Sequence, residues 1–136
     1  MANGIPLTDE DRWDWLITLR EEAVKRLHQS DGAIVTCSAL RHRYRDVMRQ
    51  ATYFHSTIHI HFIYLSASEE LLLQRVGARK GHYMHSNMVH SQMLSLEPPD
   101  SDEKNVDVIT VDCSGSMEKV QQLALAAVRQ KLAEDP

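Results

Sequence analysis

Arg75 and Arg79 stand four residues apart in RVGARKGHYMHSNMVHSQ (75 to 92), a spacing that puts both guanidinium forks on one face of a helix. Gly81 then releases the chain into a loop, with Lys80 and His82 on either side and a new amphipathic stretch behind it. Two fork-shaped cations beside a glycine hinge suit a mobile clamp over an anion. In phosphoryl transfer such arginines neutralise the transferring group and help to exclude water. The same residues also fit a helix end whose Arg and Lys do no more than complement its macrodipole. A second basic group, Arg41, Arg43, Arg45 and Arg49 with His42 and a single acid, Asp46, either faces an anionic ligand or forms a solvated helix face.

The elements that must position these residues follow from apolar spacing. TDEDRWDWLITLREEAVKRLHQSDG predicts a helix capped by Thr8, with Asp9, Glu10 and Asp11 at its positive end and Leu16, Leu19, Ala23 and Leu27 on one face, stopping near Gly32. AIVTCS (33 to 38) reads as a strand buried on both faces, and ALRHRYRDVMRQ returns to helical spacing. IHIHFIYLS (58 to 66) reads as a second strand, followed by a helix whose capping box pairs Ser66 with Glu69. Residues 86 to 96 predict a helix ended by Pro98 and Pro99. An acidic loop, DSDEKN, leads to a third strand, VDVITVD, and 117 to 133 form a closing helix. Alternating helices and apolar strands imply an α/β fold with a parallel sheet, whose ligands meet the carboxyl ends of the strands. Cys37, Ser38 and Ala39 stand at one such end, where small residues admit a ligand and Ser38 offers a hydrogen bond.

The chain of 136 residues is of one-domain size, with 43% hydrophobic and 25% charged residues and a net charge of −4, so nothing attracts it as a whole to nucleic acid or an anionic membrane. Its beginning carries no basic-then-apolar leader, no apolar run reaches the length of a membrane span, and the expected compartment is the cytoplasm. Cys37 and Cys113 lack metal-ligand spacing and read as reduced, half-buried thiols. A Cys37 nucleophile would need an orienting group and an oxyanion hole that the sequence does not identify. His59 and His61, two apart on a strand, share a face that could chelate a metal, or they lie on a sheet surface; no acid or third ligand stands nearby.

Three blocks, GIPLTDEDRWDWL (4 to 16), CSALRHRYRD (37 to 46) and ARKGHYMHSNMVHSQMLSLEPP (78 to 99), resemble successive blocks of the gluconokinases, small kinases of the shikimate-kinase-like, P-loop type. The resemblance runs from residue 4 to 99 in the family's order and continues more loosely through the last strand and helix. It implies ATP-dependent phosphorylation of D-gluconate to 6-phosphogluconate with Mg²⁺, a three-layer fold with a parallel sheet, and assembly as a homodimer. By that resemblance Arg79 reaches the nucleotide phosphates as catalytic clamp, Arg75 lies near the nucleotide, Ser38 lines the sugar pocket, and Arg12 binds the substrate carboxylate. An arginine fork can hold such a carboxylate bidentately; the alternative for Arg12 is a salt bridge to Asp9 or Glu10. His82 and Gln92 match positions near the lid and pocket without an assigned step. The family usually has proline where Asp14 stands, which leaves the start of the first helix open.

The chain contains no Gly-x-x-x-x-Gly-Lys-Ser/Thr, the backbone cradle and lysine that hold ATP phosphates. In the family a strand, that loop, its helix and a second strand with the aspartate expected as base precede the GIPL block, about 45 residues in all. Residues 1–136 therefore read as an incomplete kinase domain without the first two strands and phosphate loop, and Met1 as an internal methionine. The expectation for these residues alone is little stability and no kinase activity. The alternative is a nonenzymatic relative or fragment that acts as a ligand-binding or protein-interaction module.

Overall fold

The computed structural model describes residues 9–78 and 86–134. Helix α1 (Asp9–Leu27) opens the order and runs unbroken through Asp14, whose carbonyl accepts from the Thr18 hydroxyl at 3.0 Å, so the residue that replaces the family's proline sits inside the helix. Its inward line is Leu16, Arg20 and Val24, four apart. Arg20 is admitted because its Nη1 donates to the Val47 carbonyl at 3.1 Å and to Gln50 Oε1 at 2.7 Å. Thr8, the expected cap, lies outside the described residues.

AIVTCS forms no strand, which corrects the sequence expectation. It keeps a strand's alternation, with Val35 and Cys37 packed inward and Ile34 left 94% exposed. Among the described residues no backbone partner closes a ladder along it. A strand is a pairing rather than a local preference, and here the pairing is lacking. Within ALRHRYRDVMRQ the helix is α2 (His42–Arg49), shorter than the stretch of helical spacing, and a further short helix, α3 (Ala51–Phe54), follows it.

Strand β1 (Phe62–Ser66) begins later than expected, leaving 58–61 outside it, and pairs in parallel with β2 (Val108–Asp112), Phe62 opposite Val108 and Ser66 opposite Asp112. Bonds from the Phe62 amide to the Asp107 carbonyl (2.7 Å) and from the Cys113 amide to the Ser66 carbonyl (2.9 Å) extend the ladder at both ends. Between the strands lie α4 (Glu69–Ala78), α5 (Ser86–Ser95) and α6 (Ser101–Val106); α7 (Met117–Glu134) closes the chain. Ser68, not Ser66, caps α4, since its hydroxyl accepts from the Leu71 amide at 3.1 Å while Ser66 is still in the ladder. The expected acidic loop is also corrected: Asp100 and Glu103 form a capping box that starts α6.

Alternate residues of β1 feed two separate cores. Phe62 packs with Leu16, Tyr44, Val47 and Met48 of α1 and α2, whereas Ile63 packs with Val111, Cys113, Val120 and Ala127 on the α7 side. Helices thus cover both faces of a small parallel sheet in an α/β arrangement. No helix among the described residues is long and apolar enough to cross a membrane.

Candidate active site

Arg12 lies in the first turn of α1, only 9% exposed, and has no hydrogen-bond or ion-pair partner among the described residues. The side chains of Asp9 and Glu10, its alternative partners, lie outside the described set. One turn on, Leu16 and Ile17 share an apolar cluster with Cys37 and Leu40, which brings the base of the Arg12 turn and the neighbours of Ser38 into one region. Ser38 is exposed, and its carbonyl accepts from the Leu40 amide at 2.8 Å in a tight turn before α2. Burial pushes the Cys37 thiol up, only partly offset by a backbone bond at Ala39, and Cys113 moves the same way for the same reason. Both are free thiols held as neutral packing groups; Cys37 is half-buried, as expected, whereas Cys113 is fully buried in the second core.

Behind Leu40 opens a cavity of about 160 Å³, mostly apolar, lined by Tyr64 of β1, Leu72 of α4, and Gln92, Met93 and Leu96 around the end of α5. Gln92 Nε2 is enclosed there without a hydrogen-bond partner, and Arg41 Nε is enclosed in the same condition. An enclosed donor without a partner costs roughly 1 to 3 kcal/mol, so Gln92 Nε2, at the cavity wall, marks where a polar ligand would be rewarded. Gln92, without an assigned step at the level of sequence, is a wall residue of the same pocket as Leu40.

Arg75 stands in the last turn of α4, and its Nη2 donates to the Gly115 carbonyl at 2.7 Å. It therefore sits over the 113–116 turn, just past the carboxyl end of β2 and close to Cys113 of the second core, while its neighbour Val76 lines the cavity behind Leu40. Arg79 and His82 lie outside the described residues. His59 is exposed and neither it nor His61 lies in a strand, so their common strand face is not formed.

Sequence reasoning left Arg45 and Arg49 as either ligand-facing or solvated, and they are neither. Arg45 is buried, with Nε 2.7 Å from Glu103 Oε2, Nη2 2.9 Å from Glu103 Oε1, and its remaining donors on the Ala39 and Glu97 carbonyls, each at 2.9 Å. Arg49 reaches Asp107, Glu103 and Asp46, and stacks 4.9 Å over the Phe62 ring. Burial raises the Glu103 carboxyl, but the bonds from Arg45 and Arg49 outweigh it and hold the group down at about 2. Burial works against the Arg49 charge too, and the acids around it more than offset that, so its proton is held above the ordinary range. The signal in the sequence was the line Arg41, Arg45, Arg49, spaced by four on one face, set against the acids of 100 to 107.

The described side chains whose atoms come close enough to share an ion are His42, Asp100 and Glu103. Two arginines already occupy the Glu103 carboxylate, so this group does not fit a Mg²⁺ site.

No protein-family model matches the chain. It is 39% identical over 143 residues to the "Probable gluconokinase" of Schizosaccharomyces pombe, covering 99% of this chain and 69% of that protein. It is 41% identical over 115 residues to the "Probable gluconokinase" of Saccharomyces cerevisiae, covering 82% of this chain and 58% of that one. Among solved structures it is similar to a gluconokinase from Sinorhizobium meliloti 1021, with a TM-score of 0.78 and 36% identity, covering 98% of this chain and 70% of that one. The chain thus spans between 58% and 70% of the length of these three relatives. With one such relative at 39% identity covered over more than two thirds of its length, and the parallel sheet flanked by helices already described, the chain belongs to the gluconokinase family.

Proposed function

We propose that the protein built from this chain is a cytoplasmic kinase that transfers the γ-phosphoryl group of ATP to D-gluconate, giving 6-phosphogluconate and ADP, and that it works as a homodimer. Family membership supports the reaction class. The observation that carries the substrate end is Arg12, a nearly buried residue whose guanidinium has no partner among the described residues, suited to a sugar-acid carboxylate. In this reading Arg12 holds the carboxylate, Ser38 donates to or accepts from a sugar hydroxyl, and Arg75 borders the nucleotide above the 113–116 turn. Arg79, from the segment outside the described residues, reaches the transferring phosphates. The substrate hydroxyl oxygen attacks the γ-phosphorus, the bond to ADP breaks, and the hydroxyl proton passes to a base. Both that base and the phosphate loop with its Mg²⁺ are assigned to a segment outside these 136 residues.

The test joins the chain in frame to its upstream coding sequence or, if none encodes a phosphate loop, to the corresponding segment of the fission-yeast relative. ATP consumption is then followed with gluconate in a coupled assay. Gluconate-dependent ADP release is expected. A joined protein that binds gluconate without turning it over would favour the nonenzymatic module, and one that does neither would overturn both. In the active protein Arg12→Met is expected to raise the gluconate KM roughly 10- to 100-fold, as loss of a charge-assisted contact worth about 1.5 to 3 kcal/mol implies. Its kcat should change little, since the carboxylate is bound equally before and during transfer. A large fall in kcat with unchanged KM would remove Arg12 from the carboxylate site.

A further inference from the structure

The turn that carries Ser38 has no ladder to hold it among the described residues, so something else must set where the serine points. Its anchors are few and specific. The Ala39 carbonyl accepts from Arg45 Nη1 at 2.9 Å, and the Leu40 carbonyl accepts from the Glu97 amide at 2.6 Å. The Glu97 carbonyl in turn accepts from Arg45 Nη2 at 2.9 Å, and the Glu97 carboxylate accepts from the His42 amide at 3.2 Å. One buried guanidinium therefore grips both partners of the clip, the Ser38–Leu40 turn and the residue just beyond α5, while Glu103 locks it from behind through two bonds. Leu40 lies on one side of this clip, and Gln92 and Leu96 on the other; all three line the 160 Å³ cavity.

We propose that Arg45 is the positioning residue of the sugar-acid pocket: by holding the Ala39 and Glu97 carbonyls at once it fixes the Ser38 turn against the end of α5, and so sets the spacing between Ser38 and Gln92. This rests on the reading that Ser38 meets a sugar hydroxyl; Gln92, on the opposite wall, is the enclosed amide that lines the same cavity as Leu40. The requirement is geometric as well as electrostatic. Lysine at the same place keeps a positive charge for Glu103, but a single ammonium cannot span the two carbonyls and the carboxylate together.

Two measurements test it. Amide hydrogen exchange on the joined protein is expected to show Glu97 and Leu40 protected, and Arg45→Lys is expected to speed both at least tenfold. The Cys113 amide, bonded to Ser66 in the sheet, should keep its rate. Should Arg45→Lys fail to fold, Glu97→Pro, at an exposed site, deletes the one N–H that meets Leu40 and is expected to free the Leu40 amide in the same way. In the joined kinase either variant is expected to raise the gluconate KM tenfold or more, with kcat and the ATP KM within threefold, a split that general destabilisation would not give. An unprotected Glu97 in the parent chain, unchanged exchange in both variants, or equal acceleration at Cys113 would overturn the linkage. Loosened exchange with an unchanged gluconate KM would overturn the positioning role. If the joined parent leaves gluconate untouched, the functional reading falls and the pocket role with it, while the exchange rates still decide whether Arg45 holds the turn.

Discussion

Glu103→Gln is expected to lower the free energy of unfolding at neutral pH by about 3 to 5 kcal/mol, as read from urea midpoints at constant slope. The reason is what the change leaves behind. The Glu103 carboxylate, 4% exposed, accepts two bonds from Arg45 and one from Arg49 at 2.7 to 2.9 Å. An amide of the same shape keeps some of these contacts but strands positive charge in the interior, and against a typical domain stability of about 5 to 15 kcal/mol that is a large fraction. The same carboxylate gives the parent chain a signature in acid. Its value in the folded chain, about 2, lies below its ordinary 4.5, so its stabilisation is complete above pH 4.5 and fades as the pH falls from there towards 2. The gap corresponds to about 3 kcal/mol. Stability measured from pH 6 down to pH 2 should therefore decline steeply in the parent and lack this component in Glu103→Gln. A variant within 1 kcal/mol of the parent at pH 7, or one with the same acid limb, would show that the cluster does not hold α2 to α6.

What the sequence disclosed, and what it hid, divides along the range of the interactions involved. Helices α1, α5 and α7 and the core of both strands announce themselves by apolar spacing, because the information is local. The pairing state of AIVTCS could not be read, since it depends on a neighbour and not on Ile and Val themselves. Arg45 and Arg49 misled for the same reason: a helix carrying four arginines and one acid looks solvated until Glu103 and Asp107, 54 to 58 residues away, are placed against it. The cap of α6 is a different case. Asp100-x-x-Glu103 is a capping-box pattern in plain view, and acidic composition outweighed it. At the site, the residue types at Arg12 and Ser38 suggested chemistry. Only the folded structure adds that Arg12 is nearly buried, that Ser38 lies on a clipped turn, and that Gln92 has an enclosed donor with nothing to meet it.

Residues 1–136 expressed alone are expected to release no ADP in response to gluconate, and joining them to a strand, phosphate loop and helix is expected to produce both turnover and a rise in stability of several kcal/mol. The chemical half of this follows from the sequence, in which no glycine-rich loop with its lysine exists to cradle phosphates. The structural half follows from two vacant surfaces of matching kind. Among the described residues β1 pairs with β2 alone, and the 33–38 segment, whose residues alternate inward and outward, has no ladder partner, so a parallel strand could bond to both. On the face of β1 that packs with α7, Leu65 is 55% exposed, and α7 itself leaves Leu125, Val128 and Leu132 uncovered at helical spacing. A helix following that strand would lie against these side chains, and full burial of each contributes roughly 1.5 to 3 kcal/mol. The two surfaces call for a strand and then a helix, and the connection between such a strand and helix is where phosphate loops occur. Leu132→Lys separates this account from a general effect of added chain: in the isolated 136 residues, where the side chain is exposed, it should change stability by no more than about 0.5 kcal/mol, and in the joined protein it should remove a large part of the gain. Turnover by the isolated chain would overturn the assignment of the phosphate site to another segment. Equal effects of Leu132→Lys in both settings would show that the helix docks elsewhere.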